Sequence, residues 1–282
     1  MKYDLKENVD RVRVNIRDQQ FGGHPQFCHM ENENKYIEWV FDNELVSNTC
    51  WFTDLSFADV LKCRPGVIKR KVAWMLEPRA IHPHTYEWMS DNNKLFDFVV
   101  TYDKALLDRG ENFLWYQPCS SWITKYNNEK KTKMCSTFAS PKRYTIGHNM
   151  RHEMIAQYKD RMDVFGTHYK YVDFKEEGLS EYRYSVTIEN TIQDYFWTEK
   201  IADCFATKTI PIYWGCKSVI KYFNSDGILF FDTFDELSKL LDDMSEDQYN
   251  SMLPALEDNF DRIKQYRPTE DWLFKTYPFL FD

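Results

Sequence analysis

The chain has 282 residues, 43% of them hydrophobic and 17% aromatic, and carries a formal net charge of -8. That much apolar material builds a sizeable core and excludes a disordered chain, and the length exceeds what one ordinary core needs, so two domains are expected. The acidic balance argues against affinity gained by coating a polyanion, while leaving a local basic groove open. Along the chain, "RVRVNI" from Arg11 alternates as a half-buried strand and leads to a turn at Gly22 and Gly23. The run "KVAWML" has the continuous apolar character of a buried parallel strand and stops at Glu77 and Pro78. "FDFVVT" repeats the pattern, and "YDKALLDRG" follows as a short helix ended by Gly110.

The polar segment Asn127 to Lys133, "NNEKKTK", marks a linker, which divides the chain into an expected first domain over residues 1–130 and a second over 131–282. In the second, "MCSTFAS", "DVFGT", "YRYSVTI", "TIPIYWG" and "GILFFD" read as strands. "NMRHEMIAQYKDRM" reads as a helix with Met150, Met154 and Tyr158 on one face, and "TEKIADCFATK", "SVIKYF" and "DELSKLLDDM" as further helices. The last stretch, "EDQYNSMLPALEDNFDRI", is helical with an expected interruption at Pro254. Alternating strands and helices in both halves imply an α/β protein of two Rossmann-like domains facing a cleft.

The seven cysteines are odd in number and scattered, without CxxC spacing, which fits a reducing compartment. The opening "MKYDLKENVD" has no apolar signal core, and no run approaches the ~18 apolar residues of a membrane span. The expected location is therefore cytoplasmic.

In open α/β sheets, ligands sit beyond the carboxyl ends of the strands, where loops lead into helix N-termini. Glu77, Glu189, Asn190 and Glu199 all fall at such places. Thr198 is a good N-cap, and Ile201, Cys204 and Phe205 follow at the spacing of a buried stripe. Lys200 in the first turn opposes the helix dipole at a cost of ~0.3 kcal/mol, which an anionic ligand would offset; a solvated surface lysine is the alternative. Glu199 could take hydrogen bonds from two ribose hydroxyls, or simply complement the dipole. Arg151 could fork onto a diphosphate, or be an ordinary surface arginine.

Other signals are absent. There is no GxGxxG, no GxxxxGK[ST] and no Asp-x-Asp pair to hold a metal-nucleotide diphosphate. His24, Cys28 and His29, or His82 and His84, lack a recognised zinc spacing. Tyr102, Trp115 and Trp122 read as core aromatics rather than stacking platforms.

Taken together, Tyr182 to Asp232 resembles the signature segment of the family 10 glycosyltransferases, the α-1,3/1,4-fucosyltransferases, and looks most like the bacterial members. An "EN" ends a strand, "TEK" opens a helix, a P-x-Y-x-G strand follows, and a phenylalanine precedes a hydrophobic strand. "EP" after an apolar strand and "FDFVVTYD" match the family's first half in outline. The resemblance implies a GT-B architecture and an inverting transfer from a nucleotide sugar, GDP-fucose by family habit, with no divalent metal required. By resemblance, Glu77 is the general base, Glu199 holds the ribose, Lys200 and Arg151 neutralise the diphosphate, and Asn190 lines the sugar pocket. Glu189 and Glu199 bracket that pocket, and Glu189 and Thr198 are counted among the donor-binding residues. Tyr195 and Phe196 are expected at the donor by the same resemblance, Phe196 standing where members often carry a tyrosine.

The expected acceptor is a glycan hydroxyl. One alternative is a hydroxylated nucleobase in DNA, favoured if Lys62, Arg64, Lys69, Arg70 and Lys71 form a basic groove beside the acceptor side. The other is a non-catalytic module that binds a sugar nucleotide or a glycan.

Overall fold

The computed structural model describes residues 11–19, 34–41, 44–117, 121–123, 130–266 and 268–281. The expected turn at Gly22 and Gly23, the His24, Cys28 and His29 set, and linker residues Asn127 to Glu129 lie outside them.

The first sheet is wholly parallel and contains β1 (Val12–Arg17), β2 (Ile37–Val40), β3 (Thr49–Thr53), β4 (Arg70–Trp74), β5 (Phe98–Thr101) and β6 (Phe113–Trp115), in the order β2-β1-β3-β4-β5-β6. Helices α1 (Pro83–Asn92) and α2 (Lys104–Leu107) follow β4 and β5. Strands β2, β3 and β6 were not evident in the sequence. β2 and β6 are four and three residues long, and β3, "TCWFT", is wholly buried but flanked by threonines, which hides its apolar character.

The second sheet is parallel too. It contains β7 (Lys133–Phe138), β8 (Asp163–Phe165), β9 (Tyr182–Ile188), β10 (Ile210–Trp214) and β11 (Leu229–Phe230), in the order β11-β10-β9-β7-β8. β9 and β10 are buried along their whole length, as strands covered by helices on both faces must be. Helices α3 (Ile146–Tyr158), α4 (Glu199–Ala206), α5 (Phe234–Asp243), α6 (Glu246–Ile263) and α7 (Thr269–Thr276) complete the chain. "SVIKYF" forms only a 3-10 turn over Lys217–Lys221.

Two expectations change. α6 continues through Pro254, because it is anchored beyond the proline, where Asn259 is fully buried and exchanges hydrogen bonds with the Asn224 backbone. Such anchoring outweighs the ~3 kcal/mol cost of an interior proline. The second domain also does not keep its last segment: α7 and the 3-10 turn Pro278–Phe281 pack on the first sheet. Phe281 stacks on Trp51 with centroids 5.1 Å apart, Phe274 stacks on Tyr36 at 5.0 Å, and Tyr277 Oη donates to the Trp115 carbonyl at 2.7 Å. The reason is hydrophobic: this segment covers the aromatic face made by Trp39, Trp51 and Trp74.

Candidate functional site

β9 delivers Glu189 and Asn190 to its carboxyl end. Glu189 is completely buried, and its carboxylate accepts from the Thr198 amide at 2.9 Å and the Thr198 hydroxyl at 2.7 Å, with Lys200 Nζ 3.4 Å away. Thr198 Oγ1 in turn accepts from the Lys200 amide at 3.3 Å, the N-cap bond its sequence position foretells. One buried carboxylate thus ties the end of β9 to the start of α4.

The start of α3 is pressed onto the same peptide. A Cβ at Gly147 would lie 1.8 Å from the Glu189 carbonyl oxygen, so only glycine permits the approach, and the Gly147 amide donates to the Asn190 carbonyl at 3.1 Å. One turn later Arg151 reaches Asn190, its Nη2 donating to Oδ1 at 2.6 Å. The N-termini of α3 and α4 therefore converge on one pair of residues.

They open onto a cavity of about 470 Å³, within the range of small-molecule sites. Arg151, Asn190, Glu199 and Lys200 line it together, joined by Lys142, His148 and Lys175. Glu199 sits between two ammonium groups, 3.3 Å from Lys200 and 3.7 Å from Lys175. Burial alone would raise its carboxyl, but those two cations outweigh it and hold the group at about 2. For Lys200, burial pulls downward and Glu199 and Glu189 overcome it, so its pKa is raised and the ammonium is retained. Burial, then Arg151, Lys200 and Lys142, push His148 down to about 4, so its ring is neutral near pH 7; its Nδ1 lies 2.7 Å from Thr145 Oγ1.

Glu77 stands on the facing domain, just beyond β4. Burial raises its carboxyl, an effect that Lys200 reduces and Glu199 augments, so it feels the charges of the second domain across the cleft. Its loop is held by Asp54, whose buried carboxylate accepts from the Leu76 amide at 3.0 Å and the Glu77 amide at 2.8 Å. Tyr86 Oη adds a bond to the Glu77 carbonyl at 2.9 Å. Nearby, Asp103 accepts from Arg79 of its own domain at 3.1 Å and from Gln193 of the other at 3.2 Å, bridging the cleft beside Glu77.

Three expected ligand contacts are placed elsewhere. Glu189 is sealed, with its oxygens turned to Thr198 and Lys200. Phe196 is buried against Tyr102 at 5.2 Å and belongs to the core of the first domain. Tyr195, at φ +66, points its hydroxyl at Lys221 Nζ, 3.1 Å away, and its amide donates to Ser218 Oγ at 2.8 Å. Trp122 also departs from expectation: its side chain is 41% exposed and forms part of the cavity wall. Tyr102, by contrast, is core. Lys142, His148 and Lys175 went unnoticed in the sequence; "SPKR" after β7 and "YVDFK" after β8 follow carboxyl ends of strands, the one signal available for them.

The suggested basic groove is not beside the cleft. Lys69, Arg70 and Lys71 lie at the start of β4, at the opposite end from Glu77 and roughly 15 Å along the strand. Lys62 is paired with Asp59 at 2.6 Å. Among the described residues, no three His, Cys, Asp or Glu side chains converge as metal ligands, and no helix is long and apolar enough to cross a membrane.

Residues 128–254 match the model of the glycosyltransferase family 10 (fucosyltransferase) C-terminal domain. The chain is 40% identical over 68 residues to an alpha-(1,3)-fucosyltransferase, FucT, of Helicobacter pylori; the match covers 24% of this chain and only 14% of that protein's length. An alpha1,3-fucosyltransferase crystal structure superposes with a TM-score of 0.60 at 18% identity, covering 98% of this chain and 89% of that one. The structure of an alpha1,3-fucosyltransferase with GDP-fucose gives 0.56 at 17% identity, covering 90% of each chain. Two Rossmann-like domains facing a cleft are the GT-B architecture. On these grounds the second half of the chain is similar to the C-terminal domain of the family 10 fucosyltransferases, and the whole chain has the GT-B fold.

Proposed function

We propose that this protein transfers a sugar from a nucleotide-sugar donor to an acceptor hydroxyl, with inversion at the anomeric carbon. The observation that carries the proposal is the convergence of Arg151, Lys200 and Glu199 on one cavity that faces Glu77 across the cleft. Each group answers a need of the reaction. As the glycosidic bond to the leaving group breaks, negative charge grows on the diphosphate while the sugar becomes oxocarbenium-like. Arg151 and Lys200 meet that charge, assisted by the positive dipole ends of the α3 and α4 starts. Glu199, ionised, accepts from the ribose hydroxyls. Glu77 takes the acceptor hydroxyl proton, and its raised pKa brings it nearer to neutrality, where a general base works best.

The donor is proposed to be GDP-fucose, supported by the family match and the GDP-fucose complex of a structural neighbour. The acceptor is proposed to be a glycan, and the work to be done in the cytoplasm without a divalent metal. A DNA acceptor is less favoured, since Lys69, Arg70 and Lys71 of the suggested basic groove stand at the far end of β4 from Glu77.

A thermal-shift panel of GDP, UDP, ADP and CMP with their sugars tests the donor, because a ligand bound only by the native state raises the melting temperature. GDP and GDP-fucose are expected to stabilise and the others not; no shift with any nucleotide would refute the proposal. Lys200→Ala should lower kcat by about two to three powers of ten, the usual cost of removing one preorganised partner of developing charge.

A further inference from the structure

Lys175 is not among the residues that family resemblance assigns to the donor, yet its ammonium joins three parts of the site. It lies 2.8 Å from Asp203 Oδ2, 3.7 Å from Glu199 Oε1 and 4.4 Å above the Trp122 ring. Asp203 is almost completely buried, and its other oxygen accepts from the Trp122 amide at 2.6 Å and Ser121 Oγ at 2.9 Å. Lys175 and Trp122 both belong to the cavity wall. Ser121 and Trp122 are therefore fastened, through Asp203 and Lys175, to the carboxylate proposed to hold the ribose.

Lys200 is shared. In the structure it serves Glu199 at 3.3 Å and Glu189 at 3.4 Å, but a diphosphate at the helix start would draw the same ammonium toward itself. Glu199 would then be a partly buried carboxylate beside a new anion. Arg151 of α3 would be engaged by the same diphosphate, and Glu77 across the cleft and Asp203 on α4 add only negative charge. Lys175 is the cation at contact distance that this rearrangement leaves in place.

We propose that Lys175 is a positioning residue of the donor site: it is the counter-ion that stays on Glu199 when a diphosphate takes Lys200, and it holds that carboxylate in register with the cavity wall at Trp122. The inference rests on the proposed donor reading. Its physical consequence is a change in proton linkage. Without Lys175, Glu199 takes up a proton as the diphosphate arrives, and affinity becomes stronger as pH falls.

The test is calorimetric titration of GDP into the intact chain at about pH 5.5 and about pH 8.5, each in two buffers of different ionisation enthalpy. Removing Lys175 alone would strand Asp203 in the interior, so the informative variant is Lys175→Met with Asp203→Asn, compared with Asp203→Asn alone. The single variant is expected to bind within about twofold of wild type at both pH values. The double variant is expected to bind about tenfold more weakly at the higher pH, to recover at the lower, and to take up a proton that wild type does not. Lys175→Arg should behave as wild type. Unchanged affinity in the double variant, or an equal loss at both pH values with no proton uptake, would overturn the inference while leaving the donor reading intact. Failure of wild type to bind GDP would remove the GDP-based reading, and this inference with it.

Discussion

Glu77 and Glu199 are both partly buried carboxylates near Lys200, and their surroundings drive them apart: one is raised, the other held at about 2. The first has to be deprotonated to act as a base. Its raised pKa therefore predicts that kcat/KM falls, as pH falls, at a higher pH than an ordinary glutamate would give. Glu77→Gln should abolish that limb and reduce turnover by about three powers of ten while leaving GDP binding within about twofold; steady-state rates beside calorimetry check both. Retained turnover in this variant would contradict its role as the base. His148 makes a stability prediction. Its folded pKa of about 4 lies below the 6.5 of the free ring, so its contribution is fully present above 6.5 and is lost as pH falls toward 4. Urea midpoints should consequently decline less between those pH values in His148→Gln than in wild type, and equal slopes would show that the ring titrates normally.

The junction of β9, α3 and α4 makes the sequence motif a site. Much of it was legible from local chemistry: an apolar run ending at Glu189, a threonine N-cap at Thr198 and a buried stripe from Ile201. What escaped was set by contacts between distant parts of the chain. Nothing around Asp54 says that it will hold the amides of Leu76 and Glu77, nor around Lys175 that it will meet Glu199. Phe196 was placed by motif position beside the donor, yet the packing of Tyr102 from the other domain claims it. Gly147 offers the sharpest prediction for this junction. Alanine in a helix is ordinarily better than glycine by ~1 kcal/mol, but here its Cβ would meet the Glu189 carbonyl at 1.8 Å. Gly147→Ala should therefore destabilise, by about 1–3 kcal/mol in chemical denaturation, and weaken GDP binding through displacement of Arg151. Stabilisation instead would mean that α3 does not rest on that peptide.

Across the molecule, the domain pattern followed from two successions of strands and helices, whereas the crossing of the C-terminal segment did not. That segment looked like an appendage of the second domain, because amphipathic periodicity gives a buried face and no partner for it. Phe274 and Phe281 complete the core of the first sheet. Phe281→Ala should cost about 3 kcal/mol of stability, the usual toll for a buried aromatic, and a value near zero would place the segment elsewhere. Domains laced together in this way keep Glu77 opposite the paired starts of α3 and α4, the relation on which the whole account depends. The most direct measurement is calorimetric titration of GDP into wild type and Lys200→Ala at neutral pH. Saturable binding to wild type, weakened at least about tenfold in the variant, is predicted by a diphosphate seated at that helix start. Equal affinity in the two proteins, or no binding to wild type, would contradict it.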